Sequence, residues 1–185
     1  MSTLITDNVN TGTIKSSGGT TAATIDSAGR IFQPTKPFIS LLRDVDGDYT
    51  AGSTIDGFRV DASRGITHSS GVMTVPVAGL YYIYICGIMN TTAGIFLNIE
   101  GSNVHRILYS AINTSNSAWE SVSGQHITQL NANDEVKFVA ANGTVGLYGV
   151  TGTNAVGGAG MYLICLLYTS PSPRDSALSR MPSSA

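Results

Sequence analysis

The stretch GLYYIYICGIM, residues 79–89, constrains the fold of this chain more than any other segment. A β-strand points alternate side chains to opposite faces of its sheet. An antiparallel strand at the surface of a monomer has one polar face. Here both faces are apolar: one holds Leu80, Tyr82, Tyr84, Cys86 and Ile88, and the other holds Tyr81, Ile83, Ile85 and Met89. We therefore expect an opposing sheet to cover one face and a neighbouring subunit the other. The alternative is a central strand shielded by loops of its own chain.

The chain after Phe38 predicts strands separated by turns. Gly and Asn punctuate it, and no amphipathic helical period extends beyond a turn or two. This pattern is typical of an antiparallel sandwich or barrel. Cys86, inside the longest run, is expected to pack as a small hydrophobe. The predicted strands are FISLLRD, TIDGFRV, GVMTVP, GLYYIYICGIM, GIFLNIEG, NVHRILYSAI, AWESVSGQHITQL, DEVKFVAA, VGLYGV and AGMYLI.

Composition argues against several classes of function. Charged residues make up 12% of the 185 residues and the net charge is −2, so nothing favours binding to nucleic acid or insertion into a membrane. No apolar run reaches the roughly 18 residues of a membrane span. The N-terminus lacks the charged start and apolar stretch of a secretory signal. Two cysteines cannot build a disulfide framework.

Residues 1–33 form a separate segment in this interpretation. They are rich in Thr and Gly, with only scattered apolar anchors at Leu4, Ile14, Ile25 and Ile31. Such a segment cannot offset its ordering entropy alone, so we expect it to need partners, such as other copies of itself in a β-rich stalk. Pro34 and Pro37 then mark a boundary, because each removes a backbone donor and favours an extended predecessor.

A family resemblance begins at GVMTVPVAGLYYIYI. It resembles the globular heads of complement component 1q, within the tumour-necrosis-factor-like jelly rolls. Those heads carry an apolar-Thr-x-Pro stretch and then Gly-x-Tyr-x-aromatic. Pro76, Gly79 and Tyr81 match this motif here, with Ile83 in the place of the second aromatic residue.

Further matches follow the same order along the chain. Pro37 and Phe38 resemble the opening strand, LNIEG resembles an apolar strand running into a turn, and GLYG and AGMYLI resemble the closing strands. ITQLNANDEVKF resembles a Leu-x-x-Gly-Asp-x-Val motif, with Asp134 matched. Asn133 stands in the place of Gly, and Asn tolerates a positive φ best after Gly. The resemblance implies an all-β, antiparallel jelly-roll sandwich over residues 34–164.

The N-terminal segment resembles a different group of proteins. NTGTIKSSGGTTAATIDSAGRIFQPTKPF is similar to the segment before such heads in tail fibres of marine tailed phages. This resemblance implies a homotrimer on a virion. Because a neighbouring subunit is expected over one face of residues 79–89, Tyr82 and Tyr84 are the candidates for the trimer interface. The resemblance also implies that residues 1–33 contact other virion proteins. The head is expected to bind a host surface glycan or protein, after synthesis in the host cytoplasm without a signal peptide.

No catalytic or metal motif emerges from the sequence. Asp44, Asp46 and Asp48 in DVDGDY would suit calcium, but an EF-hand loop would need Gly and Glu at positions held by Tyr49 and Ile55. A solvated acidic turn is the favoured interpretation, and calcium stays open. The three histidines, His68, His105 and His126, are far apart and lack neighbouring ligands, which argues against a shared metal site. We expect neither a cofactor nor an enzyme.

Three residues are candidates for receptor contact. Trp119, the only tryptophan, follows the polar stretch NTSNSA, and Tyr109 and Tyr49 have similar standing. Their rings suit sugars or peptides, although packing within the sheet is the favoured role. Three classes of function remain: a receptor-binding fibre tip, a purely structural trimerising head, or an enzyme such as a depolymerase. The last would need a carboxylate pair that nothing marks.

The last 21 residues resemble translated adapter sequence from transposase-based sequencing libraries. CLLYTSPSPRD matches one end of that adapter and SRMPSSA the other, with three residues of index length between them. We therefore expect residues 165–185 to be a non-native, disordered tail from adapter read-through in a metagenomic sequence. On this interpretation the Ser-Pro pairs are not phosphorylation sites and Cys165 has no partner.

Overall fold

The computed structural model describes residues 12–15, 18–19, 21–33, 35–110, 119–150 and 155–166. Every regular element in these ranges is a strand. Three short strands precede the main body: β1 (Thr13–Lys15), β2 (Thr21–Ile25) and β3 (Ile31–Phe32). The others are β4 (Phe38–Arg43), β5 (Gly47–Thr50), β6 (Phe58–Arg64), β7 (Thr67–Ser69), β8 (Val72–Thr74), β9 (Gly79–Met89), β10 (Ala93–Ile99), β11 (Ser102–Ser110), β12 (Glu120–Leu130), β13 (Glu135–Asn142), β14 (Thr144–Leu147) and β15 (Gly158–Leu166).

The strands form three antiparallel sheets. A small N-terminal sheet has the order β1-β2-β3. One main sheet has five strands in the order β11-β10-β13-β8-β7. The other has seven, in the order β5-β14-β9-β15-β4-β6, with β12 paired along the whole length of β9. The two main sheets pack face to face as a sandwich, which confirms the predicted all-β, antiparallel fold.

The core lies between the two main sheets. Tyr81 and Ile83 of β9 are fully buried there, as are Leu97 of β10 and Met161 of β15. The sequence predicted that an opposing sheet covers one of the two apolar faces of β9, and the structure shows that it is this one. The alternate residues of β9 point to the outside of the seven-stranded sheet, where they are half-buried or exposed. The two apolar faces of β9 therefore have different surroundings.

Most predicted strands are present, with two differences at the start of the main body. The acidic turn DVDGD was expected to end a strand, but its second half enters β5, which pairs with β14. The stretch TIDGFRV begins its strand only at Phe58. Before that, Ile55 is fully buried and its N–H bonds the carbonyl of Phe138, while Gly57 has a φ of 74°. A buried anchor followed by a left-handed residue interrupts the strand.

Strand β15 begins with glycines because the neighbouring strands β4 and β9 leave no room for side chains there. Gly158 and Gly160 both belong to this strand. A Cβ on Gly160 would overlap the carbonyl oxygen of Ile39 and lie 2.9 Å from the Tyr84 hydroxyl. Glycine therefore lets β15 lie between β4 and β9 beneath the Tyr84 ring.

The end of β15 crosses the predicted adapter junction. Its pairing with β9 shifts register between Leu163 and Cys165, and the strand continues to Leu166. Cys165 and Leu166 are exposed. Residues 167–185 lie outside the described ranges, as do residues 1–11 of the N-terminal segment. The predicted domain boundaries at 33/34 and 164/165 stay predictions.

We expect Gly160→Ala to lower the free energy of unfolding by about 1–3 kcal/mol, because the added methyl overpacks a site bounded by backbone. Gly87→Ala is the matched control in β9, since a Cβ there meets only Leu147 Cδ2 at 3.6 Å. That variant should change stability by less than about 1 kcal/mol. Denaturant unfolding followed by circular dichroism measures both, and equal stability of the two variants would contradict the packing described for β15.

Candidate functional site

The outward side of the seven-stranded sheet carries a row of apolar side chains. We call this side the outer face. Strand register places Ile127 opposite Tyr82, Tyr82 opposite Tyr162, and Tyr162 opposite Phe38. The rings of Tyr82 and Tyr162 stack with centroids 5.1 Å apart. Ile127 and Tyr162 are 53% and 44% exposed. The row therefore crosses four strands as one accessible apolar band.

The outer face is also uncharged across its centre. Tyr84 lies beside Tyr82, with ring centroids 6.2 Å apart, and stands opposite Gly160 and Gln125 in the neighbouring strands. Within β4, β15, β9 and β12, every outward side chain is neutral. The nearest charge in the row is Arg64 of β6, whose guanidinium lies 5.3 Å from the Phe38 ring centroid. A neutral aromatic band of this kind is typical of a protein–protein contact.

Cys86 departs from its expected role. The sequence predicted that it packs as a small hydrophobe, but Cys86 is an exposed free thiol on the outer face. The physical reason is the parity of β9, which places Cys86 on the same side as Tyr82 and Tyr84. The apolar run around it does not indicate burial, because both faces of this strand are apolar.

A second surface feature surrounds Trp119. We call it the Trp119 depression. It is an open hollow of about 330 Å³ lined by Asp46, Gly47, Asp48, Asn90, Trp119 and Leu147. The indole is 47% exposed and meets the Tyr148 ring edge-on, with centroids 5.1 Å apart and planes at 62°. The depression therefore combines one supported aromatic ring with several oxygen acceptors.

The acceptors come from segments distant in sequence. Asp46 precedes β5, Asp48 lies in β5, and Asn90 follows β9. The pairing of β5 with β14 sets Asp48 opposite Gly146. Asp48 Oδ1 and Asn90 Oδ1 both occupy the space that a side chain on Gly146 would fill. A glycine at this position is what allows the two oxygens to approach each other.

The three aspartates of DVDGDY do not converge on one point. Asp44 pairs with Arg59, with 3.1 Å between Oδ1 and Nε. Asp46 Oδ1 accepts a hydrogen bond from the Gly149 N–H at 2.5 Å, and Asp48 faces Gly146. In the part of the chain that the structure describes, no group of three or more His, Cys, Asp or Glu is placed to hold a metal ion. The geometry favours a structured acidic turn over a calcium loop.

Arg43 lies buried beneath this turn, with 2% of its surface exposed. Its guanidinium sits 5.2 Å from the Tyr49 ring centroid and 5.4 Å from that of Phe58. Nη1 donates to the carbonyl of Asp56, whereas Nε and Nη2 have no hydrogen-bond partner among the described residues. A Cβ on Gly47 would lie 2.9 Å from Nη2. The cation therefore lies directly behind the Gly47 wall of the Trp119 depression.

The three residues predicted to contact a receptor lie in different surroundings. Trp119 lines the depression. Tyr49 is half-buried, and its hydroxyl donates to the carbonyl of Asp56 at 2.8 Å. Burial raises the pKa of Tyr49, although the Arg43 guanidinium acts in the opposite direction. Tyr109 is 53% exposed on β11, 5.7 Å from the Arg106 guanidinium, and does not line the depression.

Two of the three histidines lie together in the fold. His105 and His126 are far apart in sequence, yet their rings stack with centroids 4.7 Å apart where β11 meets β12. Burial lowers the pKa of His126, and the charge of His105 lowers it further. Burial also lowers the pKa of His68, whose Nε2 has no partner. Sequence distance did not indicate this pair, because it forms through the contact between strands β11 and β12.

The family-motif residues have structural roles. Tyr81 is fully buried and donates its hydroxyl proton to the carbonyl of Val77 at 2.9 Å, and burial raises its pKa to about 12. A Cβ on Gly79 would overlap Leu163. Asp134 Oδ2 accepts the Asn131 N–H at 2.8 Å. Asn133 has a φ of 71°, which confirms the expected left-handed turn. Pro76 packs at Gly65, whose added Cβ would lie 3.4 Å from Pro76 Cγ.

No protein-family model matches the chain, and no curated protein matches it either. Solved structures do resemble it. The globular domain of zebrafish complement 1qA protein aligns at a TM-score of 0.56 and 15% identity, over 71% of this chain and all of that domain. Eiger TNF from S. frugiperda gives 0.57 and 10%, over 75% and 97% of the two chains. Murine APRIL gives 0.52 and 13%, over 70% and 99%.

The fold is a tumour-necrosis-factor-like, complement-1q-like jelly roll. At these identities the likeness concerns the fold alone. It confirms the architecture inferred from the order of the motifs between Pro37 and Ile164. The described ranges contain no helix that could cross a membrane.

We expect His126 to titrate below the usual value of 6.5. Between the two pKa values the folded state binds fewer protons than the unfolded chain. Stability therefore falls as the pH drops through about 6.5, and levels off below the folded-state pKa. His105→Gln should raise the His126 midpoint by removing the repulsion, whereas His68→Gln should leave it unchanged. NMR titration of the imidazole Cε1–H signals measures this, and a His126 midpoint at or above 6.5 would contradict the stacked geometry.

Proposed function

We propose that this chain is the head of a homotrimeric virion appendage of the tail-fibre type, and that it binds a receptor on the host surface. The observation that carries the trimer is the outer face. Its central strands expose Tyr82, Tyr162 and Ile127 with no charge among them. Exposed apolar patches of this kind mark interaction surfaces on soluble proteins. Further copies of the same chain are the occupant proposed here, with Tyr82 and Tyr84 at the contact.

The position of the N-terminal segment supports this arrangement. Phe32 of β3 and Phe38 of β4 lie beside the same guanidinium, 5.9 and 5.3 Å from Arg64 Cζ. The segment therefore leaves the head next to the outer face. If three outer faces meet about one axis, three such segments start side by side. Residues 1–33 could then complete one another's short sheets as a stalk that attaches to other virion proteins.

The receptor role is supported by the Trp119 depression. It lies at the β5–β14 end of the sheet and shares none of the outer-face residues Phe38, Tyr162, Tyr82 and Ile127. An exposed tryptophan held against a second aromatic ring is the kind of residue that anchors binding sites. The alternative is a purely structural head that trimerises and caps the fibre. That alternative gives no role to an indole 47% exposed beside two carboxylates.

We also propose that residues 165–185 are adapter-derived rather than native. The adapter resemblance of CLLYTSPSPRD and SRMPSSA carries this proposal. We expect the source gene, amplified from DNA prepared without that adapter, to encode a different peptide after Ile164. Recovery of CLLYTSPSPRD from such DNA would overturn the proposal.

We expect Tyr82→Asp to dissociate the trimer. A carboxylate buried without a partner costs about 3–5 kcal/mol, so the dissociation constant should rise by more than about a hundredfold. The fold should persist, because Tyr82 points away from the core. Light scattering after size exclusion measures the mass, and circular dichroism measures the fold.

Tyr109→Asp is the matched control, since it places the same charge on an exposed tyrosine outside the outer face. It should remain a trimer with three times the mass of one chain. A wild-type monomer at micromolar concentration, or a Tyr82→Asp variant as trimeric as the control, would contradict the proposed assembly.

The virion assignment has its own test. We expect the genes that flank this one on the source DNA to encode virion structural proteins. A flanking region of cellular genes would contradict the tail-fibre assignment, while leaving the trimer to be judged by its mass.

A further inference from the structure

We propose that the Trp119 depression binds a neutral saccharide. The indole stacks on the C–H face of a sugar ring, while Asp46, Asp48 and Asn90 accept hydrogen bonds from its hydroxyl groups. This inference rests on the proposed receptor-binding function and names the chemical class of its ligand. No covalent step is involved.

The first support is the state of the indole. Trp119 is 47% exposed, yet the Tyr148 ring packs against it at a centroid distance of 5.1 Å. A tryptophan held in this way offers a large, rigid, apolar surface at little cost in side-chain entropy. Sugar rings present C–H groups on one face and hydroxyl groups around the rim. In the depression, the indole would face the C–H groups of the sugar and the polar acceptors would face its hydroxyl groups.

The second support is the set of acceptors. The Gly149 N–H fixes the orientation of the Asp46 carboxylate through Oδ1, and a carboxylate can accept at both of its oxygens. Asp48 Oδ1 and Asn90 Oδ1 flank one point above Gly146. Carboxylate and amide oxygens accept strong, directional hydrogen bonds from hydroxyl donors. The Asp46 carboxylate is thus held in place by the backbone before any ligand arrives.

The third support is the buried cation behind the wall. Arg43 is 2% exposed, its Nε and Nη2 lack partners, and Nη2 lies against Gly47 between the two aspartates. Its unpaired charge offsets the negative potential of Asp46 and Asp48 from below. The depression therefore offers oxygen acceptors without the full field of two free carboxylates. This balance favours a neutral donor-rich ligand over an organic cation.

Other ligand classes fit less well. An anionic sugar would bring its charge against two carboxylates, with the only adjacent cation buried. Calcium would need more converging oxygens than the described residues supply, because Asp44 turns away to Arg59. The volume of about 330 Å³ is at the small end of ligand sites, which suits one ring of a glycan rather than a peptide segment. Three such sites on a trimer would strengthen weak single-site binding through avidity.

The test uses the full chain and the fact that Trp119 is its only tryptophan. Intrinsic fluorescence is measured while the methyl glycosides of glucose, galactose, mannose and N-acetylglucosamine are added separately. Calcium chloride and tetramethylammonium chloride are the comparison probes. We expect a saturable fluorescence change with at least one glycoside, and none with either salt. Asp48→Ala should weaken that glycoside by about tenfold.

A glycan array supplies the matched mutational comparison. Wild-type protein and Tyr109→Ala should bind the same neutral glycans. Trp119→Ala should lose at least about tenfold in apparent affinity. Mass and circular dichroism of the variants check that assembly and fold are kept. Trp119→Phe, which keeps an aromatic ring, should retain part of the binding and serves if the alanine variant fails to fold.

The inference is overturned if no neutral glycan binds, if Trp119→Ala and Trp119→Phe both bind as wild type, or if only anionic glycans, calcium or tetramethylammonium bind. These experiments distinguish failure of the saccharide proposal from failure of the proposed trimer. A stable trimer without saccharide binding removes the ligand class and leaves the assembly intact. A monomer that still binds glycosides through Trp119 removes the trimer and leaves the site.

Discussion

The structure depends on one strand that is apolar on both faces. β9 lies between β12 and β15 at the centre of the seven-stranded sheet, and its residues Tyr81, Ile83, Ile85 and Met89 enter the core with at most 2% exposure. Its other face needs a second cover, which the described part of the chain does not supply to Tyr82, Tyr84 or Cys86. The apolar band on the outer face extends through Tyr162 and Phe38 of the neighbouring strands. Contact with further copies of the same chain is the simplest way to remove this band from water.

Much of the fold could be predicted because the strand pattern and the order of the motifs indicated the same architecture. Alternating β-branched and aromatic residues marked the strands, and the order of motifs around Pro76, Gly79 and Asp134 indicated the jelly roll. The failures have local physical causes. β5 was not predicted, because its four residues have little apolar content and lie within the acidic turn. Its pairing with β14 is what makes it a strand. Cys86 was placed inside because apolar neighbours were taken as a sign of burial, which fails when both faces of a strand are apolar.

The candidate site could be predicted only in part. Trp119 was singled out from its rarity and polar surroundings, but its partners were not. Asp48, Asn90 and Gly146 meet through the pairing of β5 with β14 and the end of β9, which no local pattern encodes. The same holds for Arg43, whose burial beneath Gly47 no local pattern indicated. The stacking of His105 on His126 likewise arises from the contact between β11 and β12.

The most direct test of the central claim is hydroxyl-radical footprinting of the folded wild-type protein, read residue by residue by mass spectrometry. In a single chain Tyr162 and Tyr109 are similarly exposed, at 44% and 53%. If copies of the chain cover the outer face, Tyr162, Tyr82 and Tyr84 should be protected at micromolar concentration while Tyr109 is oxidised readily. Oxidation of Tyr162 at the same rate as Tyr109, unchanged on dilution, would contradict the account.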